Sequence, residues 1–249
     1  MTATTPLPAQ PELTAELAAD LAGASLALAQ RFSAGATMWC LAPAFTPHAQ
    51  HIAVEFVHPV VVGKRALPAV ALTGPDLVDQ VRMSARSGDI VIAVARADDP
   101  DVGAVMRRAP AWGVTSIWIG NGPRPAPGAA DHVLWVDDPD PRMPATGHFV
   151  LLYHLLWELT HVCFEHPGLL TAPSECTDEV CITCSDEGRL AEVLTVADGS
   201  AVVRTARGTE TVDTLMTGDV ADGDLVLVHA GMAIGRVPDE FDEGTEGPR

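Results

Sequence analysis

The stretch GDIVIAVARADDPDVGAVMRRAPAWGVTSIWIG, residues 88–120, decides the fold class of this chain. Its two ends, 89–95 and 114–120, are short apolar runs rich in Val and Ile, each the length of a buried strand. The segment between them, 99–113, has the pattern of a helix. Two strands joined through a helix run parallel, and such strands are covered by helices on both faces of their sheet. The stretch therefore predicts an α/β fold with a doubly wound parallel sheet.

The same alternation extends to both sides of this stretch. Ala and Leu recur at helical spacing near the start of the chain, and further apolar runs have the length of strands. The additional predicted strands are 36–42, 67–73 and 132–138. The additional predicted helices are 12–33, the segment that is entered through Thr46-Pro47 and stopped at Pro59, 76–87 and 147–168.

A different pattern follows the last of these helices. Pro, Ser, Thr, Asp and Glu collect in a predicted linker, and five short strand-like segments then alternate with Gly- and Asp-containing turns. Short strands at this spacing predict a small all-β barrel or curled sheet. The predicted division is a disordered tail (1–11), an α/β domain (12–168), a linker (169–180), a β-barrel domain (181–237) and an acidic tail (238–249).

The composition excludes two classes of partner. A net charge of −18 argues against nucleic acid, because binding to phosphates requires a Lys- and Arg-rich surface. Every apolar run is shorter than the roughly 18 residues of a membrane-spanning helix. The polar, Pro-rich start does not resemble a secretory signal. The sequence therefore predicts a cytoplasmic protein whose thiols stay reduced.

Three of the five cysteines lie close together, at Cys176, Cys181 and Cys184. Reduced thiols and an odd total disfavour a disulfide framework. A structural zinc site would need ligands beyond the Cys-x-x-Cys pair, and a redox pair would be expected at the start of a helix, without the acidic residues that flank this one. A third interpretation is an accessible thiolate that binds iron together with His229. The residues alone leave all three interpretations open.

The segment GDLVLVHAGMAI, residues 223–234, resembles the Gly-Asp-x-Val-Leu-Val-His-x-Gly-Phe-Ala-Ile signature of the HypC/HupF family of [NiFe]-hydrogenase assembly chaperones. The resemblance extends over residues 181–237, since the order of strands and turns and the position of Cys181 before the first strand also agree. Met232 replaces the aromatic residue of the signature. Cys181 is internal, whereas the family cysteine is normally exposed at the N-terminus. The Pro-Gly that usually follows the family cysteine is absent, and Cys184 lies in the segment that replaces it.

The resemblance implies a β-barrel chaperone that transfers an iron centre with cyanide and carbonyl ligands. The partners that it implies are a scaffold maturation protein and the precursor of the hydrogenase large subunit. The family's cysteine and histidine correspond to Cys181 and His229, and Cys184 is a candidate additional ligand. Iron would be bound transiently, as cargo.

The first 168 residues resemble SIS domains, most of all those of the phosphoheptose-isomerase branch. The resemblance runs through GATMWCLAPAFTPHAQHIAVEF, LPAVALT, residues 88–120 and ADHVLWVDD. The two loops that bind phosphate in that branch differ here. APAFTP contains two prolines without N–H groups, and ARADDP contains Asp98 and Asp99, which would repel a phosphate.

Histidines and carboxylates recur at helical spacing in two predicted helices of this domain. His48, His51, Glu55 and His58 would share one face of the first helix, and His154, Glu158, His161 and Glu165 one face of the second. Some phosphoheptose isomerases bind zinc through a His-x-x-x-Glu pair and a histidine on the final helix, and the resemblance assigns these roles to His51, Glu55 and His154. His48 and His58 are further candidate metal ligands. Solvated polar faces or a subunit contact are the alternative interpretation.

These observations favour a maturation chaperone over an enzyme, and they assign no catalytic residue. In this hypothesis the barrel handles the iron centre or the large-subunit precursor. The SIS-like domain forms a homodimer or larger homo-oligomer and offers a metal or small-molecule site. The alternative is a metal-dependent enzyme related to sugar-phosphate isomerases, or a lyase, with a regulatory β domain. A pure interaction scaffold is the third hypothesis.

Overall fold

The computed structural model describes residues 14–136, 147–170 and 188–238. Its first domain is a parallel sheet of five strands in the order β2-β1-β3-β4-β5, with helices on both faces. The strands are β1 (Met38–Leu41), β2 (Ala69–Leu72), β3 (Ile90–Val94), β4 (Thr115–Asn121) and β5 (His132–Val136). The helices are α1 (Ala15–Ser33), α2 (Pro47–Val57), α3 (Leu77–Ser84), α4 (Pro100–Trp112) and α5 (Gly147–Glu165), and a 3-10 turn, Pro167–Leu169, follows. The predicted α/β fold is confirmed.

The central strand β3 is buried on both faces, which explains its continuous apolar sequence. Ile90, Ile92 and Val94 pack into the core beneath α1, α2 and α5. Val91 and Ala93 point to the opposite face, where α3 and α4 cover them. This alternation places α2 and α5 on the same side of the sheet, in direct contact with each other.

Two local signals fix helix α4, which packs on the other face. The Asp99 carboxylate accepts a hydrogen bond from the Val102 amide and caps the first turn. Gly113 ends the helix with a φ of 69°. A side chain at this glycine would also collide with Ser87 and the backbone of Ala206, so the position requires glycine for two reasons.

The second domain is a closed barrel of five strands in the order β10-β8-β7-β6-β9. Small residues such as Ala191, Ala201 and Ala233 alternate with valines in its interior, as a narrow barrel requires. The strands are β6 (Arg189–Ala197), β7 (Ser200–Thr205), β8 (Gly208–Asp213), β9 (Leu225–His229) and β10 (Met232–Val237). The predicted β-barrel is confirmed. The exact limits of the domains, linker and tails stay a prediction, because they fall in or beside segments outside the described residues.

A buried carboxylate joins the two domains. Glu192 of β6 is fully buried, and its oxygens accept hydrogen bonds from the Arg82 guanidinium at 2.6 Å and the Trp112 indole at 2.7 Å. The Arg108 guanidinium lies 3.6 Å away. From the barrel side, Arg204 donates hydrogen bonds to the carbonyl oxygens of residues 82 and 85. Two cations therefore compensate the buried charge at this interface.

Among the described residues, none of the helices combines the length and apolarity that a membrane crossing requires.

Candidate functional site

Three potential metal ligands converge between α2 and α5. His51 and Glu55 lie one turn apart on α2, and His154 faces them from α5. The His154 Nε2 atom lies 3.2 Å from His51 Nε2 and 3.8 Å from a carboxylate oxygen of Glu55. That oxygen lies 4.0 Å from His51 Nε2. The structure thus brings together the three residues that the sequence assigned to one site.

The spacing of these three atoms suits a small divalent cation. Zinc–ligand bonds of about 2.1 Å in tetrahedral geometry separate neighbouring ligand atoms by about 3.4 Å, so small movements would complete the site. Two imidazoles and one carboxylate are a common zinc donor set that leaves a fourth position open. The side chains of His51 and His154 are 41% and 43% exposed, so this position would face solvent. A metal at these residues stays a prediction.

A shallow cleft of about 290 Å³ adjoins the three ligands. Glu55, His154 and Glu158 form its polar part, and Leu151 and Leu155 form an apolar side. Both leucines are exposed on α5, and Val54 is exposed on α2. The candidate metal site therefore lies beside an apolar surface.

Tyr153 connects His51 to a third, buried histidine. Its hydroxyl lies 3.1 Å from His51 Nδ1 and 3.3 Å from His48 Nδ1. Burial, and to a smaller extent the Glu55 charge, raise the pKa of Tyr153 to about 12, so the phenol keeps its proton at neutral pH. His48 packs edge-on against Phe149 and Tyr153. The Tyr153 hydroxyl therefore lies between His48 Nδ1 and the metal-ligand cluster.

The other residues of the two predicted polar faces have different surroundings. His58 is exposed and directly follows α2, outside the cluster. Glu158 and Glu165 form ion pairs with Lys64. His161 is buried, and its two ring nitrogens lie 2.9 and 3.0 Å from the carbonyl oxygens of Trp157 and Arg65. Each predicted face thus divides into a solvent-facing part and a part that packs against the core.

The starts of α2 and α4 offer few N–H groups to an anion. Asp99 caps α4 with its carboxylate. This carboxylate therefore occupies the position at the start of the helix where another anion could bind. Burial raises the pKa of Asp99. Asp98 forms an ion pair with Arg96 at 3.0 Å, which lowers the pKa of Asp98. At α2, Pro47 occupies the first helical position and offers no N–H.

In the barrel, His229 ends β9 at a tight hairpin. Ala230 and Gly231 form the two-residue connection, with φ values of 48° and 80°, and Met232 pairs with His229 across the turn. Positive φ at both positions is the conformation of a type I′ turn, in which alanine is unfavourable. A strained turn therefore holds the half-buried His229.

The register of the barrel fixes where the cysteine segment enters. Arg189, the first residue of β6, lies opposite Val228 of β9, which directly precedes His229. The side chain of Leu227 contacts Gly188. Cys176, Cys181 and Cys184 lie outside the described residues, and their roles as ligands stay predictions.

Two other residues of the 223–234 signature have structural roles. Gly223 has a φ of 88° at the turn before β9, where a side chain would be strained. The Asp224 carboxylate accepts a hydrogen bond from the Ala221 amide and lies 3.2 Å from the Arg236 guanidinium. These contacts stabilise the turn, which leaves His229 as the residue of the signature that is suited to metal chemistry.

No sequence pattern indicated the roles of Tyr153 and Glu192. Tyr153 is the only tyrosine in the chain and directly precedes His154, which was a usable signal. Glu192 is one of many acidic residues, and its burial depends on the contact between the domains. Nothing in its local pattern indicated that contact.

Comparisons with known proteins match the two domains separately. The sequence model of the HupF/HypC family matches residues 189–245. A phosphoheptose isomerase from Francisella tularensis superposes with a TM-score of 0.51 and 18% identity, covering 59% of this chain and 90% of that one. For a phosphoheptose isomerase from Neisseria gonorrhoeae the TM-score is 0.46 at 20% identity, with 59% and 85% covered. No curated protein matches in sequence. The first superposition shows that the α/β domain has the phosphoheptose-isomerase (SIS) fold.

Proposed function

We propose that this protein is a maturation chaperone of [NiFe]-hydrogenase whose barrel binds an iron centre as cargo through a cysteine thiolate and His229. The match of residues 189–245 to the HupF/HypC family supports the general role. Cys181 is the proposed thiolate ligand and Cys184 a candidate second one. A thiolate and an imidazole suit low-spin iron that carries cyanide and carbonyl groups.

The register of β6 against β9 is the observation that carries this proposal, because Arg189 at the start of β6 lies opposite Val228, the residue before His229. Cys184 precedes Gly188 by four residues and Cys181 by seven, and extended chains of these lengths span at most about 14 and 25 Å. Either cysteine can therefore return to the imidazole. Iron bound at this edge would lie beside the exposed side chains of Leu227, Met232 and Ile234, which would offer partner proteins an apolar contact.

This function can be tested in a host that lacks the gene for this protein, by measuring whether a reintroduced gene restores hydrogenase maturation. Cys181→Ala and His229→Ala should each abolish rescue while leaving the protein folded. Cys163→Ala is the matched control, because this cysteine lies on α5, outside the barrel. Full rescue by both barrel variants would refute iron handling by these residues, and failure of the wild-type gene to rescue would refute the role in maturation.

For the α/β domain we propose a resident zinc ion at His51, Glu55 and His154 together with self-association. The distances between the three ligand atoms support the metal site. A bound zinc would polarise a ligand or a water molecule at its open position. The exposed Val54, Leu151 and Leu155 beside it support a homodimer formed through α2 and α5.

A metal-dependent isomerase or lyase is the second candidate function, and the same three ligands favour it. Asp99 and Pro47 argue against a phosphorylated sugar, because they occupy or remove the N–H groups that would bind it. Turnover of sugar phosphates by the purified zinc-loaded protein, lost on His51→Ala, would support this candidate. Absence of turnover together with successful rescue would support the chaperone.

A further inference from the structure

We propose that Tyr153 positions the metal ligand His51 by selecting its tautomer, and that it couples this choice to the buried His48. This role rests on the proposed metal site at His51, Glu55 and His154, for which Tyr153 would be a positioning residue. Its basis is a chain of hydrogen bonds from His154 Nε2 through His51 and the Tyr153 hydroxyl to His48 Nδ1, with lengths of 3.2, 3.1 and 3.3 Å.

Without a metal, this chain can be arranged in two directions. The facing Nε2 atoms of His51 and His154 need one proton between them, since two lone pairs would repel each other. If His51 carries that proton, its Nδ1 is bare and accepts a hydrogen bond from the Tyr153 hydroxyl. If His154 carries it, His51 has its proton on Nδ1 and donates to the Tyr153 oxygen.

Only the second direction is compatible with a metal at His51 Nε2. The ligating nitrogen must present its lone pair, so the proton of the neutral ring has to be on Nδ1. The Tyr153 oxygen then accepts from His51, and the tyrosine proton points to Nδ1 of His48. Occupancy of the exposed site would thereby fix the tautomer of His48, a residue that is only 3% exposed.

The position of Tyr153 suits this role. It lies in the core of the domain, packed against both imidazole rings at centroid distances of 5.3 and 5.8 Å. The surrounding core restricts the ring, so its hydroxyl stays between the two histidines. Hydrogen bonds from groups behind a ligating histidine commonly change metal affinity by about 10- to 100-fold.

Two measurements on the full chain test this inference. The first is competition for Zn²⁺ with a chelator of known affinity, and the second is nitrogen-15 NMR of the histidine rings with and without Zn²⁺. In the wild type, Zn²⁺ should give a single His51 tautomer protonated at Nδ1 and a single His48 tautomer protonated at Nε2. Tyr153→Phe should weaken Zn²⁺ binding about 10- to 100-fold and abolish the response of His48.

Phe149→Leu is the matched control, because it changes the packing against His48 without removing the hydroxyl. It should keep the tautomer response. Wild-type affinity and an unchanged response of His48 in Tyr153→Phe would overturn the proposed role of Tyr153 and leave the metal site standing. A wild-type protein that does not bind Zn²⁺ would overturn the metal site itself, and the inference with it.

Discussion

The indole nitrogen of Trp112, the last residue of α4, donates a 2.7 Å hydrogen bond to the carboxylate of Glu192 on barrel strand β6. This carboxylate is fully buried and also pairs with Arg82. Such a contact connects the two domains through a charge that has no access to water. Breaking a buried pair leaves the remaining charges uncompensated, whereas breaking an exposed pair costs little.

Replacing Glu192 with Ala should therefore destabilise the protein by about 3 kcal/mol, because Arg82 and Arg108 would lose their shared partner. Urea denaturation measures the free energy of unfolding. The control is Glu210→Ala, which removes a solvent-accessible ion pair with Arg189 and should cost less than about 1 kcal/mol. Equal losses in the two variants would contradict the role assigned to Glu192.

The turn after His229 predicts a stabilising substitution. Ala230 has a φ of 48°, a conformation that asparagine adopts more readily, and Asn-Gly is the preferred pair in type I′ turns. Ala230→Asn should raise the free energy of unfolding by about 0.5 to 1 kcal/mol. Ala66→Asn is the control, because Ala66 is exposed in a loop and does not have a positive φ. A gain at both sites, or at neither, would contradict the proposed strain.

His132 gives the protein a defined sensitivity to acid. Partial burial of this residue lowers its pKa below the ordinary value of 6.5, although Asp131 and Asp20 oppose the shift. Protonation therefore favours the unfolded chain. The contribution of His132 to the free energy of unfolding is fully present above pH 6.5 and decreases as the pH falls toward the lower pKa of the folded state.

His132→Gln should reduce this dependence of stability on pH. The glutamine side chain is smaller than the imidazole ring that it replaces. Thermal unfolding between pH 7.5 and pH 5 provides the measurement, and the slope of the melting temperature with pH should be smaller in the variant. His58→Gln is the matched control for the loss of a histidine, because His58 is exposed. Identical slopes in the wild type and His132→Gln would show that His132 does not titrate as proposed.

Self-association through α2 and α5 can be tested by introducing charge into the apolar surface. Leu155→Asp should convert the proposed homo-oligomer into a monomer, because Leu155 lies among exposed apolar residues beside the candidate metal site. Light scattering coupled to size-exclusion chromatography measures the mass. Met83→Asp is the control, because Met83 is exposed on α3, across the sheet from α5. A monomeric wild type, or an oligomer that survives Leu155→Asp, would contradict this interface.

Much of the fold could be predicted from the sequence, because the signals for its helices and strands are local. The run IVIAV in β3 is apolar throughout, as burial on both faces requires. Pro47 marks the start of α2 and Gly113 marks the end of α4, as the structure confirms. His51 and Glu55 are one turn apart, so their common direction follows from helix geometry alone.

The remaining features of the site depend on contacts between distant segments. Helical spacing placed His48 and His161 on the same faces as the candidate ligands. The packing of α2 against α5 buries His48, and His161 is buried beside the carbonyl oxygen of Arg65. The link from His51 to His48 through Tyr153 requires the same packing. The burial of Glu192 requires the barrel to contact α4. No local pattern encodes these distances.

The most direct test of the proposed iron chemistry is X-ray absorption at the iron edge, on protein purified without oxygen from cells that assemble hydrogenase. We predict bound iron with a sulfur and an imidazole nitrogen among its ligands. The sulfur contribution should decrease in Cys181→Ala, and the imidazole should disappear in His229→Ala. Protein that carries no iron, or iron whose ligands are the same in the wild type and both variants, would contradict the account.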